Sequence, residues 1–156
     1  MSLHLRVVCV GKPGGWAAEA ADDYLSRVRR YTPSELCVVR PERDADRDPA
    51  VARRREGERL YEALPKGAVV VALDPLGKSM DSPAFSQFIN KQQNAGIRDL
   101  AFLIGGPVGL SDEARSGARM LLSLSPLTLP HELALVVLSE QLYRAFTILR
   151  GERYHK

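Results

Sequence analysis

Little in this chain could staple a small fold or hold a metal. Among 156 residues there are 2 cysteines and 3 histidines. Cys9 and Cys37 lie in separate apolar runs, with no C-x-x-C and no nearby histidine pair, and read as core thiols rather than as a disulfide or a metal site. Long apolar runs are also missing. Uncharged stretches such as 121–130 and 133–139 fall well short of the ~20 residues a membrane helix requires. Residues 1–10 are too short, and too interrupted by His4 and Arg6, for a secretory signal, which predicts a cytoplasmic protein. Nor is there a strong excess of one charge: 22 Lys+Arg against 19 Asp+Glu give +3, which permits a polyanionic partner without demanding one. Arginines gather at Arg27, Arg29 and Arg30, at 53–55, and at Arg144, Arg150 and Arg153, and each cluster alone reads as a solvated helix face.

What is present is the composition of an ordinary globular protein, 45% hydrophobic and 26% charged, in a length that suits one domain over residues 1–156. Residues 3–10 read as a buried strand ended by Gly11-Lys12-Pro13-Gly14-Gly15, and 16–30 as a helix with one apolar face. A strand at 35–40, a charged loop at 41–49 and a charged helix at 50–64 follow. The apolar runs 68–73 and 100–104 predict strands covered on both faces, separated by a helix that Asp81-Ser82-Pro83 opens. A short helix capped by Ser111, a short strand at 120–124, a proline-pinned loop at 125–130 and a helix at 131–150 complete the chain. The alternation predicts an α/β protein with a parallel-rich sheet and helices on both faces.

The last helix carries Glu140, Arg144 and Thr147 as one polar stripe, while leucines, valines and aromatics cover most of the remaining circumference. One core uses one face, so the excess predicts a homodimer; a deeply buried helix in a monomer is the alternative.

Ligands of open α/β sheets bind beyond the carboxyl ends of the strands, which directs attention to 73–79, 105–109 and 123–130. Gly77-Lys78-Ser79 resembles the end of a phosphate-binding loop, but the glycine required five residues earlier is Ala72, so nucleotide hydrolysis is excluded. Gly105-Gly106-Pro107-Val108-Gly109 lacks the G-x-G spacing of a dinucleotide fingerprint and alone is a sharp turn. Paired with the apolar loop 124–129 it could offer backbone groups and an apolar wall to a flat ring, of a ligand that is neutral or cationic. No serine has a partnered histidine and aspartate, and no metal-ligand spacing occurs. His131 reads as capping or orienting the last helix. The tail 150–156 would ordinarily fray, although an aromatic among cations also suits stacking on a base beside phosphates.

Four segments together, Leu-Ile-Gly-Gly-Pro-x-Gly-Leu at 103–110, Leu-Ser-x-Leu-Thr-Leu-Pro-His at 124–131, Glu-x-Leu-Tyr-Arg-Ala at 140–145 and the terminal Tyr154-His155, resemble the RlmH-type large-subunit ribosomal RNA methyltransferases of the SPOUT class over nearly the whole chain. That resemblance implies a sheet whose C-terminal part is threaded into a deep trefoil knot, a homodimer, and S-adenosylmethionine as cofactor with no metal. It implies cofactor contacts from Leu73, Gly105, Leu124, Ser125, Pro126, Leu127, Thr128 and Leu129, mostly through backbone, with no essential side chain at Pro126. The implied reaction is methylation at N3 of a pseudouridine in the helix-69 stem-loop of 23S ribosomal RNA within the 70S ribosome. His155 and Tyr154, from the partner's tail, stand as candidates near the N3 proton, and Arg144 as the holder of a phosphate or base oxygen. The rival readings are a nucleotide-binding protein without transferase activity and a ribosome-associated factor.

Overall fold

The computed structural model describes residues 2–156. Five strands form one sheet, β1 (His4–Val10), β2 (Ser34–Val39), β3 (Val69–Ser79), β4 (Asp99–Ile104) and β5 (Met120–Ser123), in the spatial order β2-β1-β4-β3-β5 with every pairing parallel. The connecting helices are α1 (Gly15–Val28), α2 (Pro49–Glu62), α3 (Ser82–Asn94), α4 (Asp112–Ser116) and α5 (His131–Leu149). The expected alternation and two-faced sheet are both present, with α1, α3 and α5 on one face and α2 and α4 on the other.

Alternation along the strands explains why the runs are apolar at every position. Leu5, Val7 and Cys9 enter the larger core with Leu25, Ile89, Leu138 and Leu142, whereas Val8 and Val10 enter the smaller one with Leu60. The same alternation separates the cysteines. Cys9 faces the larger core and Cys37 packs against the smaller, so the two free thiols lie on opposite faces of adjacent strands. Burial pushes the Cys9 thiol up to about 11, which keeps it protonated and unreactive.

Two elements depart from expectation. The strand expected to end at Leu73 runs to Ser79, because residues 74–77 bulge outward between two pairings with the same residue, Leu73 with Leu122 and Lys78 with Leu122. Gly77 makes the return possible: a Cβ on it would lie 2.6 Å from both the carbonyl carbon and oxygen of Leu121. The glycine that resembled a phosphate loop is therefore a strand-contact residue. The second departure is in α5, where Thr147 is fully buried and its hydroxyl donates to the Arg144 carbonyl, so the polar stripe reduces to Glu140 and Arg144. Helix α5 packs on both α1 and α3, and Leu135, Leu138, Leu142 and Phe146 fill that contact. Leu133, Val136, Val137 and Ile148 retain partial exposure.

The tail is ordered rather than frayed. Gly151 adopts φ +67°, a left-handed turn after α5 that an alanine would enter only with strain, and Glu152 N–H donates to the Thr147 carbonyl. The chain so reversed brings the Glu152 carboxylate to the Tyr31 hydroxyl at 2.8 Å and lays 153–156 back along α5.

Candidate active site

Strands β3, β4 and β5 are neighbours, and their carboxyl ends open into one cleft of about 920 Å³, of the size that takes a drug-sized ligand. Leu73 ends the regular part of β3, Gly105 follows β4, and Leu124, Ser125, Leu127, Thr128 and Leu129 follow β5; all seven line the cleft. Pro126 does not. Between β4 and α4, the segment 105–109 closes on itself through a Gly109 N–H to Gly106 carbonyl bond of 2.9 Å. A Cβ on Gly105 would meet the Gly109 carbonyl carbon at 2.9 Å, so this wall has to be bare backbone. Opposite it, the loop after β5 is pinned by its own serines: Ser123 Oγ donates to the Ser125 carbonyl at 3.1 Å, and Leu127 N–H donates to Ser125 Oγ at 3.0 Å.

The charges at the cleft are mixed. Asp74 accepts from Leu76 N–H at 2.8 Å and pairs with Arg115 Nε at 3.0 Å, joining the β3 bulge to α4. Asp112 and Glu113 lie beside them, and Arg53 and Arg54 reach the mouth from α2. Read as part of a solvated face in the sequence, Arg53 and Arg54 are instead cleft residues, and Arg53 Nη1 donates to the Val108 carbonyl at 3.3 Å, whereas Arg55 stays exposed and pairs with Glu42. No sequence signal marked them, because only the sheet order sets α2 beside the end of β4. His131 lines the cleft and does not cap α5, whose N-cap is Pro130; the neighbouring Glu132 carboxylate instead accepts from Gly14 N–H at 3.0 Å.

Tyr154, His155 and Arg144 come together elsewhere, around a residue not singled out for chemistry. Glu140 Oε2 accepts from the Tyr154 hydroxyl at 2.6 Å and from Arg144 Nη2 at 2.8 Å. Arg144 Nη1 stands 3.0 Å from His155 Nδ1, and its guanidinium lies 4.6 Å from the centre of the Tyr154 ring. Because a guanidinium can only donate, Nδ1 is the acceptor, and the neutral ring carries its proton on Nε2. None of the four residues lines the cleft. The i, i+4 spacing of Glu140 and Arg144 on α5 was the available signal for Glu140.

Burial, then the hydrogen bond to Glu140, raises the Tyr154 phenol well above its ordinary value, so it is a neutral donor at physiological pH. Glu140→Gln should bring the Tyr154 titration back toward that of a free phenol, read as the phenolate absorbance lost in Tyr154→Phe. The sign for stability follows. With the folded value raised, the Tyr154 contribution is complete below the ordinary phenol pKa and is lost as pH climbs through the folded one. An unchanged titration in Glu140→Gln would leave burial as the cause and remove Glu140 as a contributor.

The cleft suits S-adenosylmethionine on its own features: a bare glycine wall, an apolar loop for a flat ring, and carboxylates for a ligand with cationic groups. No group of residues that could hold a metal ion occurs among the described residues, and none of their helices is long and apolar enough to cross a membrane. The family model described as "Predicted SPOUT methyltransferase" matches residues 3–155. The chain belongs to the SPOUT methyltransferase family. A protein of Pelobacter propionicus named "Ribosomal RNA large subunit methyltransferase H" is 48% identical over 154 residues, covering 98% of this chain and 99% of that one. One of the same name from Gemmatimonas aurantiaca is 44% identical over 155 residues, covering 99% and 100%. Among solved structures, a probable methyltransferase from Bordetella pertussis superposes with a TM-score of 0.59 at 18% identity, covering 92% of this chain and 96% of that one. The methyltransferase AviRb from Streptomyces viridochromogenes, solved with AdoMet, gives 0.51 at 17%, covering 98% and 60%. These two likenesses concern the fold alone.

Proposed function

We propose that this SPOUT protein is an S-adenosylmethionine-dependent ribosomal RNA methyltransferase, that residues 1–156 act as one domain, and that its target is N3 of a pseudouridine in the helix-69 stem-loop of 23S ribosomal RNA in the assembled 70S particle. The observation that carries the cofactor half is the glycine-walled cleft at the ends of β3, β4 and β5, where two of the four signature segments, 103–110 and 124–131, converge. The RNA half is supported by the name shared by full-length relatives. A ribosomal substrate places the work in the cytoplasm. In this reading the C-terminal segments that build the cleft, from β4 to α5, form the trefoil knot.

The active form in this reading is a homodimer, each cleft completed by the Glu140–Arg144–Tyr154–His155 cluster of the second copy. Two features favour it: the cluster stands away from its own cleft, and Leu133, Val136 and Val137 leave α5 partly uncovered. When bound, S-adenosylmethionine supplies a methyl group made electrophilic by its sulfonium. The chain then has to align N3 with that methyl and remove the N3 proton. Arg144 turns from His155 Nδ1 to an oxygen of the base. A guanidinium there favours the deprotonated ring, and the freed Nδ1 lone pair takes the proton. Tyr154, tied to Glu140, keeps the tail in register.

The test is transfer of labelled methyl from S-adenosylmethionine to 70S ribosomes lacking the modification, with 50S subunits alongside and the labelled nucleoside mapped. Label on N3 of the helix-69 pseudouridine that depends on the 70S particle is expected. Cofactor binding with label elsewhere would move the substrate, and binding with no label would leave a cofactor-binding ribosomal factor in its place.

A further inference from the structure

One face of α2, at helical spacing 53, 56, 57 and 60, is built against the cleft's glycine wall. Leu60 is buried in the smaller core. Gly57 lets α2 close on α4, since a Cβ there would stand 3.0 Å from Ser111 Oγ and 3.2 Å from Ala114 Cβ. Arg53 holds the Val108 carbonyl. Between these contacts lies Glu56, a carboxylate only 2% exposed. Its Oε2 accepts from Glu42 N–H at 2.9 Å, and the Glu42 side chain is itself gripped by Arg55 at 2.7 Å and Arg59 at 2.6 Å. Its Oε1 is buried without a hydrogen-bond partner among the described residues. The neighbour of that oxygen is Gly106: a Cβ on it would lie 3.6 Å from Oε1 and 3.1 Å from Val10 Cγ1, so the glycine wall rests directly against the carboxylate.

A buried carboxylate oxygen without a donor is an uncommon arrangement that forfeits a charge-assisted bond, and here it abuts a glycine-rich backbone segment that lines a ligand cleft. We propose that Glu56 is a positioning residue for the cofactor wall: with S-adenosylmethionine in the cleft, segment 105–109 turns a backbone N–H onto Glu56 Oε1, so that ordering the wall and satisfying the buried carboxylate are one event. The inference rests on the cofactor reading above. Glu56 touches neither cofactor nor substrate. It acts through the wall, and it ties that wall to the charged loop 41–49 through Glu42.

Glutamine is the informative replacement. It keeps the size of the side chain but has a single oxygen for two N–H groups and turns an NH₂ toward one of them. In the full chain, Glu56→Gln should weaken S-adenosylmethionine and S-adenosylhomocysteine binding about tenfold by calorimetry. The single-turnover rate at saturating cofactor should stay within about twofold of wild type, since the loss is one of binding. The ligand-free melting temperature should stay close to wild type. Amide hydrogen exchange supplies a readout that needs no variant: in wild type, S-adenosylhomocysteine should protect an amide within 105–109, and in Glu56→Gln that protection should fall. Glu56→Ala should lose both binding and stability.

Unchanged affinity and unchanged protection in Glu56→Gln would overturn the proposal and leave Glu56 as an anchor for Glu42 alone. Absence of any protected amide within 105–109 of liganded wild type would overturn it even if both variants failed to fold. If wild type itself bound neither ligand, the cofactor reading would fall first and this inference with it.

Discussion

Replacing His155 by alanine is expected to slow single-turnover methyl transfer to 70S ribosomes by about 10²- to 10⁴-fold, the range that a positioned acid–base group contributes. Cofactor affinity should change far less than the rate, because the walls that one chain builds around the cleft do not include His155. In the structure Nδ1 is held by Arg144, so the imidazole is oriented but not yet free to accept a proton. Arg144→Ala should therefore be at least as damaging, since it removes the group that holds the base oxygen while leaving Nδ1 open. Arg144→Lys should not restore the rate, because a lysine ammonium cannot bridge a base oxygen and a ring nitrogen with a planar fork. The decisive arm is mixed dimers of His155→Ala and Gly105→Ala chains. If each cleft is completed by the second copy, such a dimer retains one cleft with both an intact wall and an intact tail residue, and about half of the activity returns. No recovery would return the tail to its own protomer, and a His155→Ala rate near wild type would remove the base assignment.

The largest structural effect is expected at Gly77. Alanine there would press a methyl group against the Leu121 backbone at 2.6 Å, and backbone in a parallel strand pair cannot yield without breaking the ladder. Destabilisation of about 3 kcal/mol or more is expected, at the upper end of single-site effects. Part of that loss should appear as a separation of β5 from the end of β3, which would displace Leu124 to Leu129 from the cleft and abolish cofactor binding even where the protein still folds. Denaturant unfolding combined with calorimetric titration separates the two. A Gly77→Ala protein with wild-type stability would mean that the bulge at 74–77 relaxes freely.

Much of the architecture was legible in one dimension. Runs such as 68–73 and 100–104 are apolar at every position because both of their faces are covered, Gly11 marks where the first strand ends, and Asp81 and Ser111 mark where helices begin. Family membership was legible too, because the four signature segments are contiguous stretches of sequence, which the match over residues 3–155 bears out. The glycine wall and the apolar loop of the cleft could be singled out for the same reason: each is a local backbone device, a glycine cluster or a proline-pinned turn.

What the sequence left open depends on contacts between residues far apart along the chain. The extension of β3 past Pro75 is decided by Leu122, which pairs with Leu73 on one side of the bulge and Lys78 on the other. The burial of Thr147 is decided by how α5 packs between α1 and α3, since helical period alone cannot say how wide the covered face is. Arg53, Arg54 and Glu56 look like one more stretch of a charged helix until the order β2-β1-β4-β3-β5 sets α2 beside the glycine wall. Glu140 becomes an anchor only because Gly151 reverses the tail. Propensity, periodicity and capping act over a few residues and are written in the sequence; the partner of a buried carboxylate, the reach of a tail and the width of a buried face are set by packing across the sheet, and only the tertiary structure decides them.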